Sequence, residues 1–153
     1  MKKILLYAFG NPGRGDDGLG NEFIKKIEQW IAESNVHAIE TDSSYQLNIE
    51  DASAIAEFDI VIFVDASKAE IESHSFTQIQ PQATQAFTTH SLSPSSLLAL
   101  CLELYDHSPL VYLLQIRGYQ WEFGEGLSIN ASKNLEYALE FAKSIIIGFR
   151  NQE

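Results

Sequence analysis

Apolar positions run unbroken from Ile4 to Phe9, stop at Gly10-Asn11-Pro12, and resume with a different period. Leu19, Phe23, Ile24, Ile27, Trp30 and Ile31 recur at helical spacing, with Lys25, Lys26 and Gln29 on the other side. That order predicts a strand, a tight turn and a helix, the opening of an α/β unit. Val36 to Thr41 reads as a short second strand, and Asp42-Ser43-Ser44 as caps for a brief helix near Gln46 to Ala56. Ile60 to Val64 is apolar throughout and ends at Asp65, the pattern of a central parallel strand covered on both faces. Ile71 to Ile79 roughly alternates, as an edge strand or hairpin arm does, and the polar segment Pro81 to Thr89 reads as loop.

Ser93-Pro94 is a helix start, with Ser as N-cap and Pro at the first helical position, and the helix is expected to run to about Tyr105. Pro109 to Ile116 is a further strand, followed by an aromatic, glycine-containing loop from Gly118 to Gly126. A last helix carries Leu135, Ala138, Leu139, Ala142, Ile145, Ile146 and Phe149 on one face. Strands alternating with helices, without repeat or linker, predict one α/β domain over residues 1–153. The expected architecture is a three-layer α/β/α sandwich whose sheet is mostly parallel with one antiparallel edge strand.

Composition narrows the partners. The 153 residues carry a formal net charge of −11, which disfavours nucleic acid or an anionic membrane surface. No stretch is long enough to span a bilayer, and the apolar run after Met1-Lys2-Lys3 is too short for a secretory signal, so a soluble cytoplasmic protein is expected. The single cysteine, Cys101, lies in an apolar run and reads as a small buried hydrophobe.

The chemistry concentrates in the turn Gly10-Asn11-Pro12-Gly13-Arg14-Gly15-Asp16-Asp17-Gly18-Leu19-Gly20. Acids at a helix start serve as caps and suit the positive end of the helix dipole, which is one reading of Asp16 and Asp17. Gly13 to Gly18 also matches the G-x-G-x-x-G dinucleotide pattern, with Glu40 and Asp42 near the expected acidic position. Two carboxylates beside a pyrophosphate oppose that second reading and suit a cation better. In open α/β sheets ligands gather at the carboxyl ends of the strands, and Asp16, Asp17, Asp65 and His90 all fall at that edge. Two carboxylates and an imidazole suit a divalent transition metal with positions left open. His37, His74 and His107 lack a comparable acidic partner and are read as structural. There is no G-x-S-x-G elbow, Arg14 and Arg117 are read as meeting a carboxylate or simply a neighbouring acid, and the Trp121–Glu125 segment as a recognition loop or a covered sheet edge.

These residues resemble a known family. The Gly10-Asn11…Asp16-Asp17-Gly18-Leu19-Gly20 turn, Asp65 after an apolar strand and His90 before a helix are similar to the signature of the hydrogenase maturation proteases. Those are endopeptidases that trim a C-terminal extension from the nickel-containing large subunit of [NiFe] hydrogenases. The resemblance implies that Asp17, Asp65 and His90 contact metal, with Asp16 holding the turn or acting as base. It also implies that the enzyme keeps no cofactor of its own, the Ni²⁺ being supplied by the large-subunit precursor, and that it acts as a monomer. Gly13 stands where the family pattern usually has Leu. With Gln46–Asp51 and Gly118–Gly126, that variant looks most like the branch serving soluble bidirectional NAD-linked hydrogenases. Two other readings stand beside this one: a nucleotide- or dinucleotide-binding α/β module, and a non-catalytic docking protein for hydrogenase assembly.

Overall fold

Along β1 (Ile4–Phe9), Ile4, Leu6 and Ala8 enter one apolar core while Leu5 and Tyr7 enter another. A strand buried on both faces must sit between two helical layers, and it does. The computed structural model describes residues 1–82 and 92–153. After β1 come a 3₁₀ turn (Gly15–Gly18), α1 (Leu19–Ser34), β2 (Ile39–Ser44), α2 (Asp51–Ile55), β3 (Ile60–Ser67), β4 (His74–Ile79), α3 (Pro94–Tyr105), β5 (Leu110–Arg117) and α4 (Ile129–Asn151). The strand order is β2-β1-β3-β5-β4, with β4 antiparallel to β5 at one edge and the other pairs parallel. Helices α1 and α4 pack Phe23, Ile27, Leu135 and Ile146 onto one face; α2 and α3 pack Ile55, Leu97 and Cys101 onto the other. This is the single-domain, three-layer α/β arrangement expected from the alternation of patterns. Among the described residues no helix is long and apolar enough to cross a membrane.

Several boundaries move, each for a local reason. The second strand starts at Ile39 rather than Val36, because Asn35 and Ala38 take left-handed backbone angles (φ 55° and 60°) that reverse the chain first. Asp42-Ser43-Ser44 therefore lies inside an edge strand instead of capping a helix. The brief helix shrinks to Asp51–Ile55, with Asp51 accepting from the Asn48 N–H (2.8 Å) and the Tyr7 hydroxyl (2.9 Å). The central strand does not end at Asp65. It continues to Ser67 because β5 offers ladder partners, pairing Asp65 with Gln115 and Ser67 with Arg117. The Ser93 cap behaves as expected, accepting from Ser96 N (3.1 Å) with Pro94 in the first turn. Cys101 is free and fully buried.

Helix α1 reaches the sheet so closely that only glycine fits at position 20. A Cβ there would lie 3.0 Å from both the Ala8 Cβ and the Val64 carbonyl oxygen. That approach fixes the start of α1 over the carboxyl ends of β1 and β3. Gly20→Val is expected to destabilise the fold by about 1–3 kcal/mol through overpacking, read as a lower urea midpoint with an unchanged slope.

Candidate active site

The turn between β1 and α1 is built inward. Asn11 organises it: its side-chain oxygen accepts from Gly13 N (2.9 Å), its carbonyl from Arg14 N (3.1 Å), and its own N–H donates to the Asp17 carboxylate (2.8 Å). Gly15 N donates to the Gly124 carbonyl (2.8 Å), Asp16 N to that of Gln120 (2.8 Å) and Asp17 N to that of Arg14 (3.1 Å). Gly124 N in turn donates to the Gly13 carbonyl (2.9 Å). Pro12 has no N–H to give. Every backbone donor from residue 11 to residue 17 is thus spent within the protein, so the G-x-G-x-x-G match has no N–H groups left to cradle a phosphate.

Asp16 caps neither the 3₁₀ turn nor α1. Its side chain is completely buried and crosses to the far end of the chain. It accepts from Tyr119 N (2.7 Å), Gln120 N (2.9 Å), Ser128 N (2.8 Å) and Ser128 Oγ (2.7 Å). Ser128 is the N-cap of α4, so Asp16 sits at a helix N-terminus after all, although of a helix remote in sequence. Burial alone would raise its pKa, but the Ser128, Tyr119 and Gln120 donors outweigh it and hold the carboxyl below its ordinary value. Of the two roles left open for Asp16, holding the turn is the one this geometry supports, since its oxygens are already occupied. Gly118 is required beside it, because a Cβ there would lie 2.7 Å from the Asp16 Cβ.

Asp65 has a different environment. By strand alternation it lies on the Phe63 face of β3, above the α2–α3 core, with Gln115 its neighbour on β5. Burial, and after it the charge of Asp17, push its carboxyl up to about 7, against a smaller opposing bond from Ala66 N–H. Asp17 and Asp65 are therefore brought together at the carboxyl edge of β1 and β3, as their positions in the sequence suggested. His90 and the Pro81–Thr89 loop expected before it fall largely outside the described residues, which contain no group of three His, Cys, Asp or Glu side chains able to hold a metal. The two acids are oxygen donors of the kind a divalent cation takes.

The other candidates resolve into structural partners. His107 bonds the Phe58 carbonyl (2.9 Å), and His74 bonds Ser73 Oγ (2.8 Å) and packs on Phe141. Arg117 donates to the Ile71 carbonyl (3.0 Å) and lies over Tyr119; Arg14 lies over Phe123, 4.1 Å from the ring centre. Neither arginine meets a carboxylate among the described residues. Sequence reading missed the partners of Asp16. Ser128, ahead of an amphipathic helix, was the available signal as a cap; nothing local marked the Tyr119 and Gln120 N–H groups.

Comparison with solved structures places the fold in a class. The chain superposes on a [NiFe] hydrogenase maturation protease, HycI from Thermococcus kodakarensis, with a TM-score of 0.72 at 19% identity, covering 95% of this chain and 92% of that one. It superposes on the hydrogenase maturating endopeptidase HybD from E. coli with a TM-score of 0.73 at 18% identity, covering 95% and 93%. A protein of uncharacterised role from Wolinella succinogenes matches at 0.64 and 23% identity, covering 95% and 96%. No family sequence model matches, and no curated protein matches in sequence. The fold is that of the hydrogenase maturation proteases, along nearly the whole chain.

Two stability predictions follow from the contrasting acids. Asp16→Asn puts an amide donor against a cluster of donors and is expected to cost about 3 kcal/mol at neutral pH by urea denaturation. The Asp16 contribution is present above the unfolded carboxyl pKa and is lost as pH falls through the lower folded value, so the gap between variant and wild type should close in acid. Asp65 has the opposite sign. Its raised folded pKa penalises folding progressively as pH climbs from the unfolded value towards about 7. Asp65→Asn should therefore melt higher than wild type at about pH 8 and at the same temperature near about pH 4.

Proposed function

We propose that this chain is an endopeptidase that removes the C-terminal extension of a [NiFe]-hydrogenase large-subunit precursor, recognising the nickel already bound in that substrate. The observation that carries the reading is the pairing of Asp17 with Asp65 at the carboxyl edge of a sheet with the maturation-protease fold. In this reading Asp17, Asp65 and His90 dock on the Ni²⁺ of the precursor. The metal orients the scissile peptide, and it or a nearby carboxylate activates water. Asp16 acts as a positioning residue that holds the turn carrying Asp17. No resident cofactor is needed, because the cation arrives with the substrate, and the enzyme works as a cytoplasmic monomer. The Gly13 turn, with Gln46–Asp51 and Gly118–Gly126, resembles the branch serving soluble bidirectional NAD-linked hydrogenases, whose precursor is the substrate in this reading.

The spent backbone donors of residues 11 to 17 count against the nucleotide-binding alternative. A docking protein without catalysis differs only in outcome: it binds the precursor and leaves its length unchanged. The purified protein incubated with nickel-loaded precursor is expected to shorten it by a C-terminal peptide, seen by intact mass, and to leave nickel-free precursor whole. Asp17→Asn and His90→Ala should each lower processing of the loaded form at least about a hundredfold. Wild-type rates in those variants, or equal cleavage without nickel, would overturn the mechanism.

A further inference from the structure

Phe123 is the most exposed large hydrophobic residue among those described, 80% accessible, yet it is not on a loose loop. The Gly118–Gly126 segment that carries it is fixed to the β1–α1 turn by Gly15 N to Gly124 O, Gly124 N to Gly13 O and Asp16 N to Gln120 O. The Asp16 carboxylate adds the N–H groups of Tyr119 and Gln120. An aromatic ring held outward at no further cost in ordering is what a binding hot spot requires. Arg14 lies over that ring at 4.1 Å, is itself exposed, and belongs to none of the ion pairs among the described residues, in a chain with 21 acids. Glu122, the acid next to Phe123, turns back to accept from Trp121 N (3.2 Å). Arginine is among the residues most enriched in hot spots and phenylalanine is enriched in interfaces, and a guanidinium over a ring selects a carboxylate beside an apolar group.

We propose that the Arg14–Phe123 pair is a docking contact for the precursor, the guanidinium taking a carboxylate of the substrate and the exposed ring an adjacent apolar side chain. This rests on the function proposed above and adds the chemistry of a recognition element beside the cutting site. Arg14 and Asp17 share one turn, Asp17 N donating to the Arg14 carbonyl (3.1 Å), so a segment seated on the pair lies against the turn that carries Asp17. A cleft of about 330 Å³ on the α1–α4 side of the turn, lined by Pro12, Gly15, Glu22, Lys26, Leu135 and Glu136 among others, offers room for the chain leading away from the acids. A second copy of this protein is a poorer occupant, because the net charge of −11 makes two copies repel.

The test measures Kd of purified nickel-loaded precursor for wild type, Phe123→Ala, Arg14→Ala and Arg14→Glu, with cleavage followed in parallel and Tm checked for each variant. The expected result is a rise of about tenfold in Kd and KM for each alanine variant and more for Arg14→Glu, with kcat affected far less. Unchanged Kd in variants of an enzyme that still processes precursor would overturn the docking contact and leave the protease reading standing. A loss confined to kcat would overturn it too, as would a concentration-dependent dimer of the wild type that Phe123→Ala abolishes. Wild type that neither binds nor cuts precursor would sink the protease reading, and the docking contact with it.

Discussion

A fully buried carboxylate is tolerable only when its charge is answered, and Asp16 is answered by four hydrogen-bond donors. Those donors come from the loop after β5 and from the N-terminus of α4, whereas Asp16 belongs to the turn after β1. The bond set therefore closes the carboxyl edge of the sheet by joining its first loop to its last. Strand β3 runs between β1 and β5, so Asp65 emerges in the space that this closure frames. The Asp16 carboxylate thus reinforces the backbone bonds that Gly13, Gly15 and Asp16 already share with Gln120 and Gly124.

The three acids of the edge show how burial and neighbours divide one side-chain type into different chemical roles. Asp16 is stabilised as an anion by N–H and O–H groups aimed at it. Asp65 is destabilised as an anion, by loss of water first and by Asp17 second. Asp17 itself is held by the Asn11 N–H. A site that concentrates negative charge works against the stability of the empty protein and in favour of a cationic guest. The N–H groups of the turn face inward, so the charges it presents are side chains: the Asp17 carboxylate and the exposed Arg14 guanidinium.

Much of the layered fold was legible because periodicity is a local property. The unbroken β1 and β3 runs read as strands covered on both faces, and the α1 and α4 stripes pack into one core, although Trp30, Ile31, Ile145 and Phe149 are only partly buried and the buried Ala131 and Asn134 were not foreseen. Boundaries were less legible where a tertiary or backbone term intervened, as with the left-handed Asn35 and Ala38 that delay β2, or the β5 partners that carry β3 past Asp65. At the site, the place of Asp17 and Asp65 on one edge of the sheet was readable from the succession of strands, whereas the adjacency of β1 and β3 that brings them together was not. The task of Asp16 was not: the expectation that an acid there serves a helix N-terminus held in kind, but the helix was α4, and no local pattern names a partner so distant. Arg14, read as meeting a carboxylate or a neighbouring acid, meets no acid among the described residues and lies on Phe123, a contact created by the same loop-to-turn closure.

The bond from Ser128 to Asp16 spans 112 positions of sequence. During synthesis the β1–α1 turn emerges well before α4, and until then Asp16 is without the groups that hold it. Loop closure over such a distance comes late, after nearer contacts have formed. The acidic site is accordingly a product of completion: it assembles when α4 docks, so an unfinished chain carries the sequence of the site without its geometry.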